Sequence, residues 1–180
     1  FKEQYKCLYV ENPVGTYHKT FSIPKNWEKK RVFLHFDGLY SGAYVWCNGK
    51  KVGYCQASNN DAEFELTQYL KEGENELYVQ VFRWTDASYL EGQDMFHMSG
   101  LHRDVYLFAV EQVFISNHYI TSSLDANTGY KKGNFNIELT LDNPTGKKAE
   151  KIIEIELLDA KNNLVWKIER KEILKEKETK

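Results

Sequence analysis

The sequence predicts an all-β chain built from antiparallel sandwiches. Three observations carry the prediction. Short runs that alternate apolar and polar residues recur along the 180 residues, the period of strands with one buried face. Turn residues, rather than helical stretches, separate these runs, so there is no βαβ rhythm and no parallel sheet. Aromatics total 26 (10 Phe, 12 Tyr, 4 Trp), and 21 of them precede residue 111, a composition suited to packed sheets. From pattern alone the first sandwich is of jelly-roll or immunoglobulin type.

The elements follow in order. Thr16–Ile23 (TYHKTFSI) sets Tyr17, Lys19, Phe21 and Ile23 against polar neighbours, as a half-buried strand does. Arg31–Phe36 (RVFLHF) is more continuously apolar and is expected at the centre of a sheet. Ala43–Cys47 and Val52–Gln56 flank Asn48-Gly49, the dipeptide of a two-residue hairpin loop. Glu63–Leu66 is a short strand, and Thr67–Lys71 reads as one helical turn capped by Thr67. Glu76–Trp84 alternates cleanly, and Val105–Val110 closes the domain. Six or seven strands with one helical turn make up residues 1–110.

Residues 111–180 hold five aromatics, Phe114, Tyr119, Tyr130, Phe135 and Trp166. From Gly146 to Lys180, 18 of 35 residues are charged; mixed-sign runs of this kind form solvated faces. Gln112–Ser122, Asn134–Leu141 and Lys151–Leu158 alternate, Val165–Ile168 is a fourth candidate strand, and Asn143–Gly146 and Asp159–Asn163 are turns. A constant-type immunoglobulin sandwich needs about seven strands and 100 residues. Seventy residues are expected to supply only its start. The chain opens on Phe1 rather than Met, which reads as a cut end.

Net charge is −2, from 24 basic and 26 acidic residues, so a bulk field for nucleic acid or anionic lipid is absent. No apolar run approaches the ~20 residues of a membrane span. Cys47 and Cys55 flank the hairpin turn. A two-residue loop sets Cys47 opposite Lys50 and Cys55 opposite Gly42, on different rungs and too far apart to bridge. All three cysteines, Cys7 included, are expected as free thiols. No CxxC spacing suggests zinc.

Thr85–Leu101 (TDASYLEGQDMFHMSGL) is the longest stretch without strand pattern, 17 residues inside a compact domain, and loops of that length usually carry function. Tyr89, Leu90, Met95, Phe96, Met98 and Leu101 are expected to be buried. Asp86, Glu91 and Asp94 share the loop with Gln93 and His97; Asp86 and Asp94 either hold a ligand or cap turns. Glycoside hydrolysis needs two carboxylates flanking the bond, and sequence spacing singles out no such pair. His18 and His35 lie in strand patterns and are expected to pack, as are Trp46 and Trp84 in the core; Arg103-Asp104 suits an ion pair or turn bond.

Ordered fragments then resemble a known family. They are Asn12-Pro13-Val14-Gly15-Thr16-Tyr17, Phe36-Asp37-Gly38, Trp46-Cys47-Asn48-Gly49, Val52-Gly53-Tyr54, Gly73-Glu74-Asn75 and Arg83-Trp84-Thr85-Asp86. The densest lie in residues 88–96 and 98–105. Together they resemble the N-terminal domain of bacterial β-galactosidases of glycoside hydrolase family 2. The resemblance covers roughly residues 12–110. It implies a jelly-roll, the sugar-binding domain, over 1–110, and over 111–180 the start of an immunoglobulin-like sandwich. A catalytic (β/α)₈ barrel would follow, carrying the two glutamates of a retaining mechanism. The 180 residues alone are therefore expected to be inactive.

The same resemblance implies site residues. Asp94 matches an aspartate that reaches the barrel's active site and contacts galactose hydroxyls and a sodium ion; a carboxylate suits both. Gln56 and Asp86 match two ligands of a structural magnesium site whose other ligands come from an N-terminal segment not in this sequence. Sodium and magnesium thus belong to the parent enzyme. Phe96 and His97 stand where the best-known members have Trp and Arg, and Gly92 replaces an acid. The implied partners are a galactoside, the downstream barrel and further copies of the parent chain, in a bacterial cytoplasm or periplasm. Rival roles are a free-standing carbohydrate-binding module and a subunit-interface domain.

Overall fold

The computed structural model describes residues 11–56, 59–92, 94 and 96–179; Cys7, Gln93 and Met95 lie outside them. The chain is nearly all β and divides into two compact units, residues 1–110 and 111–180. No helix among the described residues is long and apolar enough to cross a membrane.

In the first unit β1 (Val14–Ser22), β7 (Glu74–Phe82), β4 (Gly42–Cys47) and β5 (Lys50–Cys55) form one antiparallel sheet in that order. The second sheet has β2 (Arg31–Phe36) between β6 (Ala62–Glu65) and β9 (Val105–Val110), so RVFLHF is central as its continuous apolarity requires. A small pair joins β3 (Leu39–Tyr40) to β8 (Gly100–Leu101). Alternation builds the core directly: Leu34 and Phe36 of β2 meet Val45 and Cys47 of β4 and Val79 and Val81 of β7, all buried. β1 is an edge strand and mostly exposed rather than half-buried; only Phe21 turns substantially inward. Beside it an apolar cleft of about 370 Å³ opens between the sheets, lined by Tyr17, Phe21, Leu77, Leu101 and Leu107 among others.

The β4–β5 hairpin turns on Asn48 (φ 51°) and Gly49 (φ 75°), the left-handed pair of a type I′ turn. Cys47 faces Lys50 as expected, but Cys55 faces Ala43, not Gly42. A bulge after Val45 inserts Val52, so Tyr54 lands opposite Tyr44 on the outer face, ring centroids 4.5 Å apart. Cys55 thereby turns toward the core. The conclusion about bridging is unaffected: both thiols are free, and burial pushes each above the usual thiol pKa.

The turn is locked from a distance. Asn48 Nδ2 donates to the Tyr69 carbonyl and to Asn75 Oδ1, both at 2.8 Å, while its Oδ1 accepts from Glu76 N–H at 3.0 Å. Asn75, with no exposed surface, also accepts from Lys71 N–H and donates to the carbonyls of Lys71 and Gly73. The fragments around Asn48 and Asn75, 27 residues apart, are thus two halves of one buried knot. Thr67 caps nothing: the N-cap of the 3₁₀ turn Thr67–Tyr69 is Leu66. Thr67 Oγ1 instead accepts from Val32 N–H and donates to Glu65, tying the turn to β2.

Outer faces carry His18 and His35. His18 stacks on Tyr78 at 4.3 Å. His35 stacks on Tyr106 and sits 2.8 Å from Glu63 and 3.0 Å from Asp37. Arg31 forks onto Glu65 through Nε and Nη2, and Arg103 Nη1 donates to the carbonyls of Asp37 and Asn59, a turn-fastening role.

In the second unit β10 (Phe114–Leu124), β11 (Gly133–Asn143) and β14 (Glu178–Thr179) form one sheet and β12 (Ala149–Leu158) pairs with β13 (Leu164–Leu174). β13 runs six residues past the expected Ile168, through the charged KEIL segment. Val113, Leu141 and Leu174 make a small core. A cleft of about 330 Å³ lies between Leu139 on one sheet and Ile155 and Trp166 on the other. On β13 Lys167 reaches Glu154 and Glu156 at 2.9 and 3.1 Å; these bonds hold the lysine well above, and Glu154 below, their ordinary pKa.

Candidate functional site

The long loop is not featureless. Asp86–Leu90 forms a short helix, α1, N-capped by Thr85. The N–H of Thr85 donates to Ser88 Oγ at 3.0 Å, while Ser88 N–H donates to the Thr85 carbonyl. The Thr-x-x-Ser spacing was the overlooked signal, a variant of the capping box. Asp86 occupies the first helical position and caps no turn, and Asp94 has no hydrogen-bond partner among the described residues. Among the described residues neither carboxylate makes the side-chain bond that a turn cap requires.

Gln56 and Asp86, 30 positions apart, line one groove of about 220 Å³ together with Tyr44, Tyr54, Phe82, Trp84 and Thr85. The end of β5 supplies Gln56, and the start of α1 supplies Asp86. Tyr54 Oη donates to Gln56 Oε1 at 2.6 Å, which orients the amide oxygen. Partial burial, then Tyr44, Cys55 and Asp86 nearby, push the Tyr54 phenol above its usual pKa. Thr85 Oγ1, buried beside the groove, faces Ser88 N–H as the other half of the capping box. Two oxygen-bearing side chains on one groove are of a chemistry that suits a hard cation, provided that more oxygens or waters complete the shell. No cluster of three or more His, Cys, Asp or Glu that could hold a metal occurs among the described residues.

The tryptophans are not core. Trp46 lies half-buried on the outer face of β4, 5.7 Å from Tyr44. Trp84 borders the groove, its backbone clasped by Asn12, whose amide accepts from Trp84 N–H at 3.0 Å and donates to its carbonyl at 2.9 Å. Neither joins the buried cluster; on β4 the inward positions on either side of Trp46 are taken by Val45 and Cys47.

Asp94 does not line this groove. It sits exposed on the segment after α1, and its apolar neighbours are exposed too: Leu90 at 77%, Phe96 at 91% and Met98 at 55%. The expected burial of these three is not met among the described residues; Leu101 does turn inward, and Met95 and the Tyr89 side chain lie outside what is described. The segment is fastened at its far end. Gly100 (φ +91°) pairs with Tyr40, and a Cβ there would stand 2.6 Å from Tyr17 Oη. Gly100→Ala is expected to destabilise the first unit by about 1–3 kcal/mol, the cost of a strained left-handed residue. Urea denaturation checks this, and an unchanged midpoint would show that this end of the loop relaxes freely.

Residues 5–111 match the family described as glycosyl hydrolases family 2, sugar binding domain. Among curated proteins the chain is similar to a β-galactosidase of Priestia megaterium, 46% identical over 132 residues, covering 73% of this chain and 13% of that protein. It is also similar to a β-galactosidase of Vibrio cholerae, 41% identical over 155 residues, covering 86% and 15%. The chain thus spans only 13–15% of the length of these relatives. Among solved structures, a Bacteroides uniformis β-glucuronidase aligns with a TM-score of 0.85 at 21% identity, over 94% of this chain and 21% of that one. A putative β-galactosidase from Bacteroides fragilis aligns with a TM-score of 0.81 at 26% identity, over 94% and 26%.

Proposed function

The chain belongs to glycosyl hydrolase family 2, whose sugar-binding domain it carries, and on that premise we propose that it is the non-catalytic N-terminal part of a retaining β-galactosidase. The observation that carries the proposal is the Asp94 segment. A carboxylate without a hydrogen-bond partner among the described residues, flanked by exposed Leu90, Phe96 and Met98, is arranged to work against something outside the chain. Apolar side chains left this exposed mark a docking surface. In this reading the occupant is the catalytic barrel, and Asp94 completes its galactose pocket.

The two acidic groups of the hydrolysis come from the barrel; this chain's residues bind and orient. Asp94 accepts hydrogen bonds from sugar hydroxyls and offers a hard oxygen to sodium, which supplies positive charge beside the sugar when bound. Gln56 and Asp86 would hold magnesium at the groove, with the remaining oxygens supplied by other segments of the full-length protein and by water. The ion would brace α1, and through it the start of the Asp94 segment. In the parent enzyme further copies of the chain would assemble into a homo-oligomer.

The test uses the 180 residues and the full-length protein side by side. The full-length enzyme is expected to hydrolyse a nitrophenyl β-galactoside, and the 180 residues to show no turnover and no millimolar binding of galactose or lactose by calorimetry. Millimolar or tighter binding by the 180 residues alone would overturn this in favour of a free-standing carbohydrate-binding module.

A further inference from the structure

We propose that Tyr40 and His97 form a latch that positions Asp94, so that His97 is a positioning residue for galactoside and sodium binding; the inference rests on the assignment of Asp94 above. Tyr40 is 2% exposed, at the end of β3, and its hydroxyl lies 2.6 Å from His97 Nδ1. The two rings also meet edge to face, centroids 5.4 Å apart at 76°, a geometry that aromatic quadrupoles favour.

The asymmetry between the partners is what makes this a latch. Tyr40 is held in the sandwich, whereas His97 is exposed and belongs to the same segment as Asp94, three positions away. A buried hydroxyl without a partner is costly, so pairing with His97 draws that segment onto the sandwich. Among the described residues this moves the nearest anchor on the C-terminal side of Asp94 from Gly100, at the β3–β8 pairing, to His97. Three residues of chain span at most about 11 Å, so fixing His97 confines where the carboxylate can stand. Preorganisation of this kind lowers the ordering cost of binding.

The experiment uses the full-length enzyme and the variants Tyr40→Phe, His97→Phe and His97→Asn, each alone and combined with Asp94→Asn. Tyr40→Phe and His97→Phe are each expected to lower kcat/KM about two- to tenfold, the worth of one net hydrogen bond, and to raise the sodium concentration for half-maximal activity. The double variant Tyr40→Phe/His97→Phe should lose no more than either alone, because both remove one bond. His97→Asn, which keeps a polar atom near the Nδ1 position, should recover most of the loss. In the Asp94→Asn background neither Phe variant should cost anything further. Normal kinetics and sodium response in His97→Phe, with Asp94→Asn impaired, would overturn the latch and leave Asp94 in the site. Losses that add fully to that of Asp94→Asn would overturn it as well. Normal kinetics in Asp94→Asn would remove the premise and the latch together. His97 lies on the surface, so its variants keep the test alive even if Tyr40→Phe fails to fold.

Discussion

Asp94→Asn in the full-length enzyme is expected to lower kcat/KM for β-galactosides about 10- to 150-fold, the equivalent of one charge-assisted hydrogen bond of about 1.5–3 kcal/mol. Asn keeps the shape and one acceptor but removes the charge. The sodium response should weaken in parallel, because a neutral amide oxygen is a poorer ligand for a hard cation. Stability should hardly move. Asp94 has no hydrogen-bond partner among the described residues and stands exposed, and surface substitutions of that kind stay within about 0.5 kcal/mol. A turn cap would give the reverse pattern, a lower melting temperature with near-normal kinetics. Measuring kcat/KM at several sodium concentrations beside the melting temperature separates the two. Unchanged kinetics and sodium response would end the assignment of Asp94 to the galactose pocket, and with it the carrying observation for this chain's role.

Asn75→Ala is expected to cost the first unit about 2–4 kcal/mol, because it strands several buried polar groups at roughly 1–3 kcal/mol each before relaxation. The N–H of Lys71 loses its acceptor, the carbonyls of Lys71 and Gly73 lose a donor, and Asn48 Nδ2 loses one of its two acceptors. Water cannot replace these bonds easily at a site with no exposed surface. Because Asn48 and Asn75 share a bond, Asn48→Ala in the same background should cost less than it does alone, a coupling that a double-mutant cycle reads directly. Urea denaturation of the 180 residues supplies the numbers. A loss below about 1 kcal/mol would mean that the knot reorganises around water.

The residues that the family resemblance singles out divide by task. Asn48 and Asn75 build the hairpin and its support. Gln56, Asp86 and the Asn12 clasp on Trp84 shape a groove. Asp94 and its exposed apolar neighbours face away from the chain. Among the described residues the Asp94 carboxylate is left without a hydrogen-bond partner.

What the sequence determined by itself is whatever depends on neighbours in the chain. Asn48-Gly49 specifies its turn because few residues adopt left-handed backbone angles cheaply. Glu76–Trp84 places Leu77, Val79 and Val81 inward because strand side chains alternate, and RVFLHF is central because its run of Val32, Phe33, Leu34 and Phe36 is mostly covered by neighbours. Asp94 could be named because a dense run of residues around it resembles a family. Tertiary structure decided the rest. The Val52 bulge reversed the parity of β5, putting Tyr54 outside and Cys55 inside, since stacking on Tyr44 and filling the core act across strands. Gln56 and Asp86 met because β5 ends beside the start of α1, and Asn48 met Asn75 across 27 residues. Leu90, Phe96 and Met98 stayed exposed because burying apolar surface requires a partner, and composition says that such surface exists without saying which chain segment will cover it. The Tyr40–His97 contact depends on two backbones brought together by β3 and β8, a proximity that no local pattern encodes.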